Sequence, residues 1–132
     1  MNTEPLVGIL LVSHSAELAA GTADLAGQVS GGAVPIVAAG GTEQGALGTS
    51  AAKVAQGLVD ADAGGGVVVL SDLGSAVLTV RALLEDRPSG RVIMADGPFV
   101  EGAVAATVTA AAGADIKAVA SAAEEARHAR KL

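Results

Sequence analysis

The sequence predicts an α/β fold: a single doubly wound, three-layer domain built on a mostly parallel sheet of four to five strands. Three observations predict it. Apolar runs of strand length alternate with segments of helical period along the chain. Two of those runs, residues 6–12 and 67–70, are almost unbroken in apolar character, as strands covered on both faces are. Each run also ends in a short polar or Gly-rich turn that leads directly into a helix. At 132 residues, the chain from 1 to 132 reads as one domain.

The first strand ends abruptly at Ser13-His14-Ser15, and helical period begins at Ala16. Ser15 suits the N-cap, and Glu17 in the first turn complements the helix dipole. Leu18, Leu25 and Val29 fall on one face of this helix, which Gly31-Gly32 ends. Pro35 lies at the start of a second strand over residues 34–39. A Gly-rich loop, 40–50, follows, and loops of that length in small domains often serve function. A second helix spans about 50–60 with Thr49 or Ser50 as its cap. Gly64-Gly65-Gly66 breaks the chain before the third strand, 67–70.

That strand leaves through Ser71-Asp72-Leu73-Gly74-Ser75-Ala76 into a helix over about 75–84. Arg87-Pro88-Ser89-Gly90 is a loop, and 91–95 a short fourth strand. Asp96-Gly97-Pro98 turns the chain into a helix over about 100–112, with Gly113 as its stop. A polar last helix over 115–130 carries Glu124 and Glu125 ahead of Arg127, Arg130 and Lys131, an order that suits its dipole.

Composition narrows the function. Hydrophobic residues make up 51% of the chain but aromatics only 1%, so Phe99 is the sole ring and the core must be Val, Leu, Ile and Ala. The absence of cysteine removes disulfides and thiolate metal sites, and two histidines leave few ligands for zinc. No metal and no cofactor is expected. No apolar run reaches the roughly 18 residues of a membrane span, and the N-terminus lacks the basic start of a signal peptide. A cytoplasmic protein without a membrane partner is the expectation. The net charge is −6, and no Lys or Arg precedes Lys53, so the clustered cations that nucleic acid demands are missing. An acidic surface of this kind suits either solubility or a basic protein partner.

The strands of a parallel sheet all end at one rim, so His14, the 40–50 loop and Asp72 to Ser75 must share it. In open α/β sheets ligands bind at that edge. If the first and third strands are neighbours, His14 and Asp72 can meet. A carboxylate that accepts a hydrogen bond from one ring nitrogen fixes the tautomer and frees the other nitrogen as a nucleophile. His14 is then the nucleophile and Asp72 its orienting partner. The competing reading makes His14 a hydrogen-bonded turn residue and Asp72 a helix cap. Backbone and hydroxyl donors around the rim, at Ser13, Ser15, Gly40, Gly41, Thr49, Gly74 and Ser75, are candidates for holding a phosphate or a partner. Simple turn chemistry is the alternative for each glycine. The loop lacks the Lys of a Walker motif, so a loosely held phosphoryl group fits better than bound ATP. Glu101 is a candidate for orienting the site or serving its helix dipole, and His128 belongs to a charged, solvated helix.

Taken together, several segments are recognisable. They are Val12-Ser13-His14-Ser15, Ala38-Ala39-Gly40 with Gly48-Thr49, Asp72-Leu73-Gly74-Ser75-Ala76, and Val100-Glu101-Gly102-Ala103, followed by matches over 105–108 and 113–116. With them the chain resembles the mannose-family enzyme IIA domains of the phosphoenolpyruvate-dependent phosphotransferase system. Within that group it is similar to the DhaM phosphotransferase subunits of dihydroxyacetone kinase. The resemblance implies that His14 accepts a phosphoryl group from the phosphocarrier protein HPr. It implies transfer onward to ADP bound on a DhaL subunit, whose ATP serves dihydroxyacetone on a DhaK subunit. It further implies adjacent first and third strands, a homodimer, and a donor supplied in trans. The loop Gly40-Gly41-Thr42-Glu43 is less acidic than in some relatives. Two rivals remain: a tetrapyrrole metal chelatase, which needs a further ligand histidine, and a non-catalytic nucleotide- or phosphate-binding module.

Overall fold

The computed structural model describes residues 4–86 and 91–132; the expected Arg87–Gly90 turn lies outside them. Four parallel strands form one sheet in the order β2-β1-β3-β4. They are β1 (Gly8–Ser13), β2 (Ile36–Gly40), β3 (Val67–Ser71) and β4 (Val92–Met94). Between and after them run α1 (Ala16–Ser30), α2 (Ala51–Ala61), α3 (Gly74–Asp86), α4 (Phe99–Ala111) and α5 (Ile116–Glu125). The strand count settles at four among the described residues.

Alternation along the central strands builds two cores. Ile9 and Leu11 of β1 and Val68 and Leu70 of β3 face a layer of α1, α4 and α5, through Ala26, Ala103, Ala106, Ala110, Val119 and Ala123. Leu10, Val12, Val67 and Val69 face the other way, onto Val54 and Ala61 of α2 and Ala76 and Val80 of α3. Ile9, Leu10, Leu11 and Leu70 are wholly excluded from water, each burial contributing about 1.5–3 kcal/mol. With one aromatic ring in the chain, the helices approach the sheet on alanine and glycine. At Gly8 that approach is absolute: a Cβ would lie 1.9 Å from the carbonyl oxygen of Ala61.

This closeness overturns one expectation. The large apolar residues of α1 do not face the core: Leu18, Leu25 and Val29 are 42, 45 and 54% exposed, and Ala19, Thr22 and Ala26 are buried instead. Only small side chains fit beneath a helix held so near the strands. Two boundaries also move. Strand β2 begins at Ile36, because Pro35 offers only its carbonyl to the ladder, to Ile9 N at 2.8 Å. The last helix ends at Glu125 and becomes a 3-10 turn, Ala126–His128, rather than running to residue 130. There the Arg127 Nε donates to the Glu124 carbonyl at 3.0 Å and its guanidinium reaches the Asp96 carbonyl, so the arginine serves the helix end from beyond it. Ser15, Ser50 and Asp115 cap α1, α2 and α5, accepting from Leu18, Lys53 and Ala118 amides at 3.1, 3.1 and 2.8 Å.

Candidate active site

Strands β1 and β3 lie side by side in parallel register, with Val12 opposite Ser71. The residues that follow them, His14 and Asp72, therefore emerge together at the carboxyl edge. The backbone around His14 is tied from both sides. Asp72 N donates to the Val12 carbonyl at 3.1 Å, Gly41 N to the Ser13 carbonyl at 3.1 Å, and Gly48 N to the His14 carbonyl at 3.0 Å.

Asp72 collects four hydrogen bonds on its two oxygens. Oδ1 accepts from His14 Nδ1 at 2.9 Å and from the Leu73 amide at 2.7 Å. Oδ2 accepts from the Ser13 hydroxyl at 2.8 Å and from the His14 amide at 3.0 Å. The side chain is only 11% exposed. Burial pushes its carboxyl up, but the bonds from His14, Ser13 and the two amides outweigh burial and hold it below the ordinary value. An ionised carboxylate only accepts, so Nδ1 of His14 carries a proton. In the neutral ring, the lone pair is then on Nε2, and the hydroxyl of Ser75, at the start of α3, contacts that nitrogen. The imidazole is 23% exposed: held on one edge and open on the other.

The expected site residues fall into two groups. His14, Asp72 and Ser75 come together, and Gly74 stands beside them at the exposed N-terminus of α3, where a Cβ would meet nothing within 4 Å. Ala76 and Val77 amides turn back to the Leu73 carbonyl at 3.1 and 3.3 Å, which leaves the amides of Gly74 and Ser75 directed to the rim. Ser13, in contrast, is fully buried. Its hydroxyl donates to Asp72 and accepts from the Ser15 amide at 3.0 Å, so it supports the pair from below instead of meeting a phosphate. Ser15 is committed as the cap of α1.

The Gly-rich loop acts as a buttress. Gly40 is buried where a Cβ would meet Ser15 O at 2.6 Å and the Ala16 Cα at 2.7 Å, so the start of α1 rests on its backbone. Gly41, at φ 73°, turns the chain out of β2 and bridges to Thr49. The Thr49 hydroxyl is enclosed without a hydrogen-bond partner among the described residues. Sequence reasoning missed Lys53, whose Nζ donates to the Gly40 carbonyl at 3.0 Å. A lysine in the first turn of a helix, set against the dipole, was the available signal. Glu101 is ion-paired to Lys131 at 2.6 Å, and that contact lowers its carboxyl. His128 is 72% exposed near Glu125. Among the described residues, no three His, Cys, Asp or Glu side chains form a group able to hold a metal. No described helix is long and apolar enough to cross a membrane.

Comparison with known proteins converges on one family. Residues 8–120 match the EIIA-man model, described as the PTS system fructose IIA component. A DhaM phosphoryl donor subunit of PEP-dependent dihydroxyacetone kinase 2 from Listeria innocua is 33% identical over 106 residues, covering 78% of this chain and 85% of that protein. The DhaM subunit of Escherichia coli K12 is 38% identical over 86% of this chain, but the match spans only 25% of its length. A DhaM phosphotransferase subunit from Lactococcus lactis is 32% identical over 85% of this chain and 89% of its own. A crystal structure known only as a protein of unknown function superposes with a TM-score of 0.82 at 30% identity, covering 92% of this chain and 95% of that one. A sigma-54 interaction domain protein from Enterococcus faecalis shares the fold, with a TM-score of 0.70 at 15% identity over 92% of this chain and 90% of its own. On the extent of these matches, the chain belongs to the mannose-type IIA family of phosphotransferase-system proteins, among its DhaM members.

Proposed function

We propose that this chain is a phosphoryl carrier of the phosphoenolpyruvate-dependent phosphotransferase system, with His14 as its acceptor and dihydroxyacetone kinase as its client. One observation carries the reading: an imidazole whose Nδ1 is bound to a buried, ionised Asp72 while Nε2 faces the rim. Asp72 keeps the proton on Nδ1, so Nε2 is the nucleophile.

In the first half-reaction the phosphorus–nitrogen bond of a phosphorylated donor breaks as a bond from phosphorus to Nε2 forms. The donor is the phosphocarrier protein HPr. In the second, the Nε2–phosphorus bond breaks as an oxygen of the terminal phosphate of ADP, held on a DhaL subunit, bonds to phosphorus. The ATP so formed then serves the DhaK subunit. No cofactor or metal enters either step as far as this chain's residues are concerned.

Positioning does most of the work in such in-line transfers. The Ser75 hydroxyl moves aside from Nε2 and, with the amides of Gly74 and Ser75, offers donors to the phosphoryl oxygens. The N-terminal end of α3 adds about 0.3–1 kcal/mol. Protein partners suit the rim's surface, since Leu47 and Leu73 stand 80 and 63% exposed beside the histidine's loops. A homodimer in the cytoplasm completes the reading.

The test is direct. Radiolabelled phosphoenolpyruvate, enzyme I and HPr should place acid-labile label on the wild-type chain and none on His14→Ala. Wild-type protein that stays unlabelled with competent, matched donors would end the carrier assignment.

A further inference from the structure

The outer edge of the sheet at β2 has been left open in a way that few edge strands are. In a parallel ladder the residues whose N–H and C=O face one neighbour alternate with those facing away. The Pro35 carbonyl and the Gly41 amide both bond to β1, so Ile36, Ala38 and Gly40 direct their backbone groups outward. Gly40 O is taken by Lys53 Nζ. Ala38, at the strand's centre, is exposed, and no backbone hydrogen bond reaches its N–H or C=O among the described residues.

The two flanking helices do not cover this edge. A groove of about 380 Å³ runs along it, walled by Ala16 and Ala20 of α1 and by Lys53, Gln56, Gly57 and Asp60 of α2. It is followed by a hollow of about 590 Å³ beside Ala23, Gly27 and Ile36. Long charged side chains ordinarily block such an edge. Here alanine and glycine keep it clear.

We infer that β2 pairs antiparallel with β2 of a second copy about a two-fold axis at Ala38, making one continuous eight-stranded sheet. This rests on the homodimer in the functional reading and supplies its interface. The charges favour a second copy over a foreign strand. Lys53 lies level with Gly40, at one end of β2. Asp60 lies seven residues further along α2, about two helical turns, toward the other end, with Gln56 and Gly57 between them. The midpoint of that pair and the midpoint of β2 fall at the same height in the groove. Rotation about Ala38 therefore sets Lys53 of each copy against Asp60 of the other, twice, as an isologous interface requires. Lys53 is also the only Lys or Arg in the first eighty residues of a chain of charge −6. Its single cation is spent where two acidic copies must approach.

Chemistry at Ala38 gives a sharp test, because the chain has no cysteine. A hydrogen-bonded antiparallel pair sets its Cα atoms about 5.5 Å apart, within disulfide range. Ala38→Cys should form a disulfide-linked dimer under mild oxidation. Val59→Cys, exposed elsewhere on α2, should not. Ala38→Pro deletes only an outward N–H, which an edge strand tolerates. It should give a monomer by sedimentation equilibrium that still takes label at His14, which also shows that it is folded. Asp60→Lys should raise the dimer dissociation constant about tenfold through two like-charge contacts, and Lys53→Asp combined with Asp60→Lys should restore it. A wild-type monomer would overturn the homodimer and this edge together. A wild-type dimer whose Ala38→Cys variant fails to cross-link, and which survives Ala38→Pro, would overturn the edge alone.

Discussion

Replacing Asp72 by asparagine changes one atom and one charge, and the four bonds on its carboxylate make the consequence calculable. An amide has a single accepting oxygen. If that oxygen takes the place of Oδ2, it keeps the Ser13 hydroxyl and the His14 amide. Its NH₂ then faces the Leu73 amide and His14 Nδ1. The imidazole can respond only by moving its proton to Nε2, which removes the nucleophile. If the oxygen takes the place of Oδ1, Nδ1 keeps its partner but the NH₂ confronts the His14 amide. Either orientation leaves one backbone N–H against another donor, at about 1–3 kcal/mol. Loss of the charged acceptor in the second orientation costs about 1.5–3 kcal/mol, or about 10- to 150-fold in rate. In the first, the wrong tautomer costs on the order of 10⁴, the scale of the corresponding change in a serine-protease triad. Rapid-quench phosphorylation by phospho-HPr measures the rate, and urea unfolding the stability. Transfer at the wild-type rate in a folded Asp72→Asn chain would refute the orienting role.

Three more outcomes follow from the same contacts. Ser75→Ala removes the hydroxyl on Nε2 and should leave the fold unchanged while slowing phosphorylation roughly tenfold, about one hydrogen bond; an unchanged rate in the labelling assay would remove Ser75 from the cradle. Gly40→Ala forces a Cβ against Ser15 O and the Ala16 Cα at 2.6 and 2.7 Å, an overpacking that should destabilise the domain by about 1–3 kcal/mol, read from the urea midpoint. The folded-state carboxyl of Asp72 lies below its ordinary 3.8. The stability it contributes is therefore full above that value and lost as pH falls through the lowered one. The difference in unfolding free energy between wild type and Asp72→Asn should stay constant above about pH 5 and shrink in stronger acid; a gap that widens with acid would contradict the ionised state.

Strand and helix alternation made the layers legible, since an uninterrupted apolar run such as residues 67–70 needs cover on both faces. His14 and Asp72 were legible because both stand where a strand gives way to a helix, and parallel strands bring such points to one rim. What the chain could not disclose is order across the sheet: β1 beside β3 is a long-range pairing, and local period carries no trace of it. Leu18, Leu25 and Val29 misled for a related reason. Helical period marks an apolar stripe, but whether the stripe or the alanines beside it meet the sheet depends on how close the helix sits. That distance is set at Gly40, on another strand. Ser13 deceived in its own way: a serine flanking a reactive histidine reads as a surface donor, yet the alternation of β1 points it inward to Asp72.

The bonds around the pair also explain why this site should pass a phosphoryl group on and not keep it. The partners of His14 and Asp72 are Ser13, Gly48, Leu73 and Ser75, with no cation among them. A phosphate on Nε2 brings about −1.5 to −2 charges across the ring from an ionised carboxylate. Like charges 4 Å apart cost about 4 kcal/mol at an effective dielectric near 20, and somewhat less over a ring's width. The N-terminal end of α3 returns only about 0.3–1 kcal/mol. Asp72 therefore does two things with one charge: it aims the nucleophile, and it keeps the product of attack at high transfer potential. Asp72→Asn separates the two. Whatever label that variant slowly acquires should leave for the acceptor more slowly than label on the wild type, because the repulsion that drives departure is gone. Chasing the purified, labelled proteins with the ADP-loaded acceptor measures this, and faster loss from the asparagine variant would show that the carboxylate stabilises the phosphohistidine.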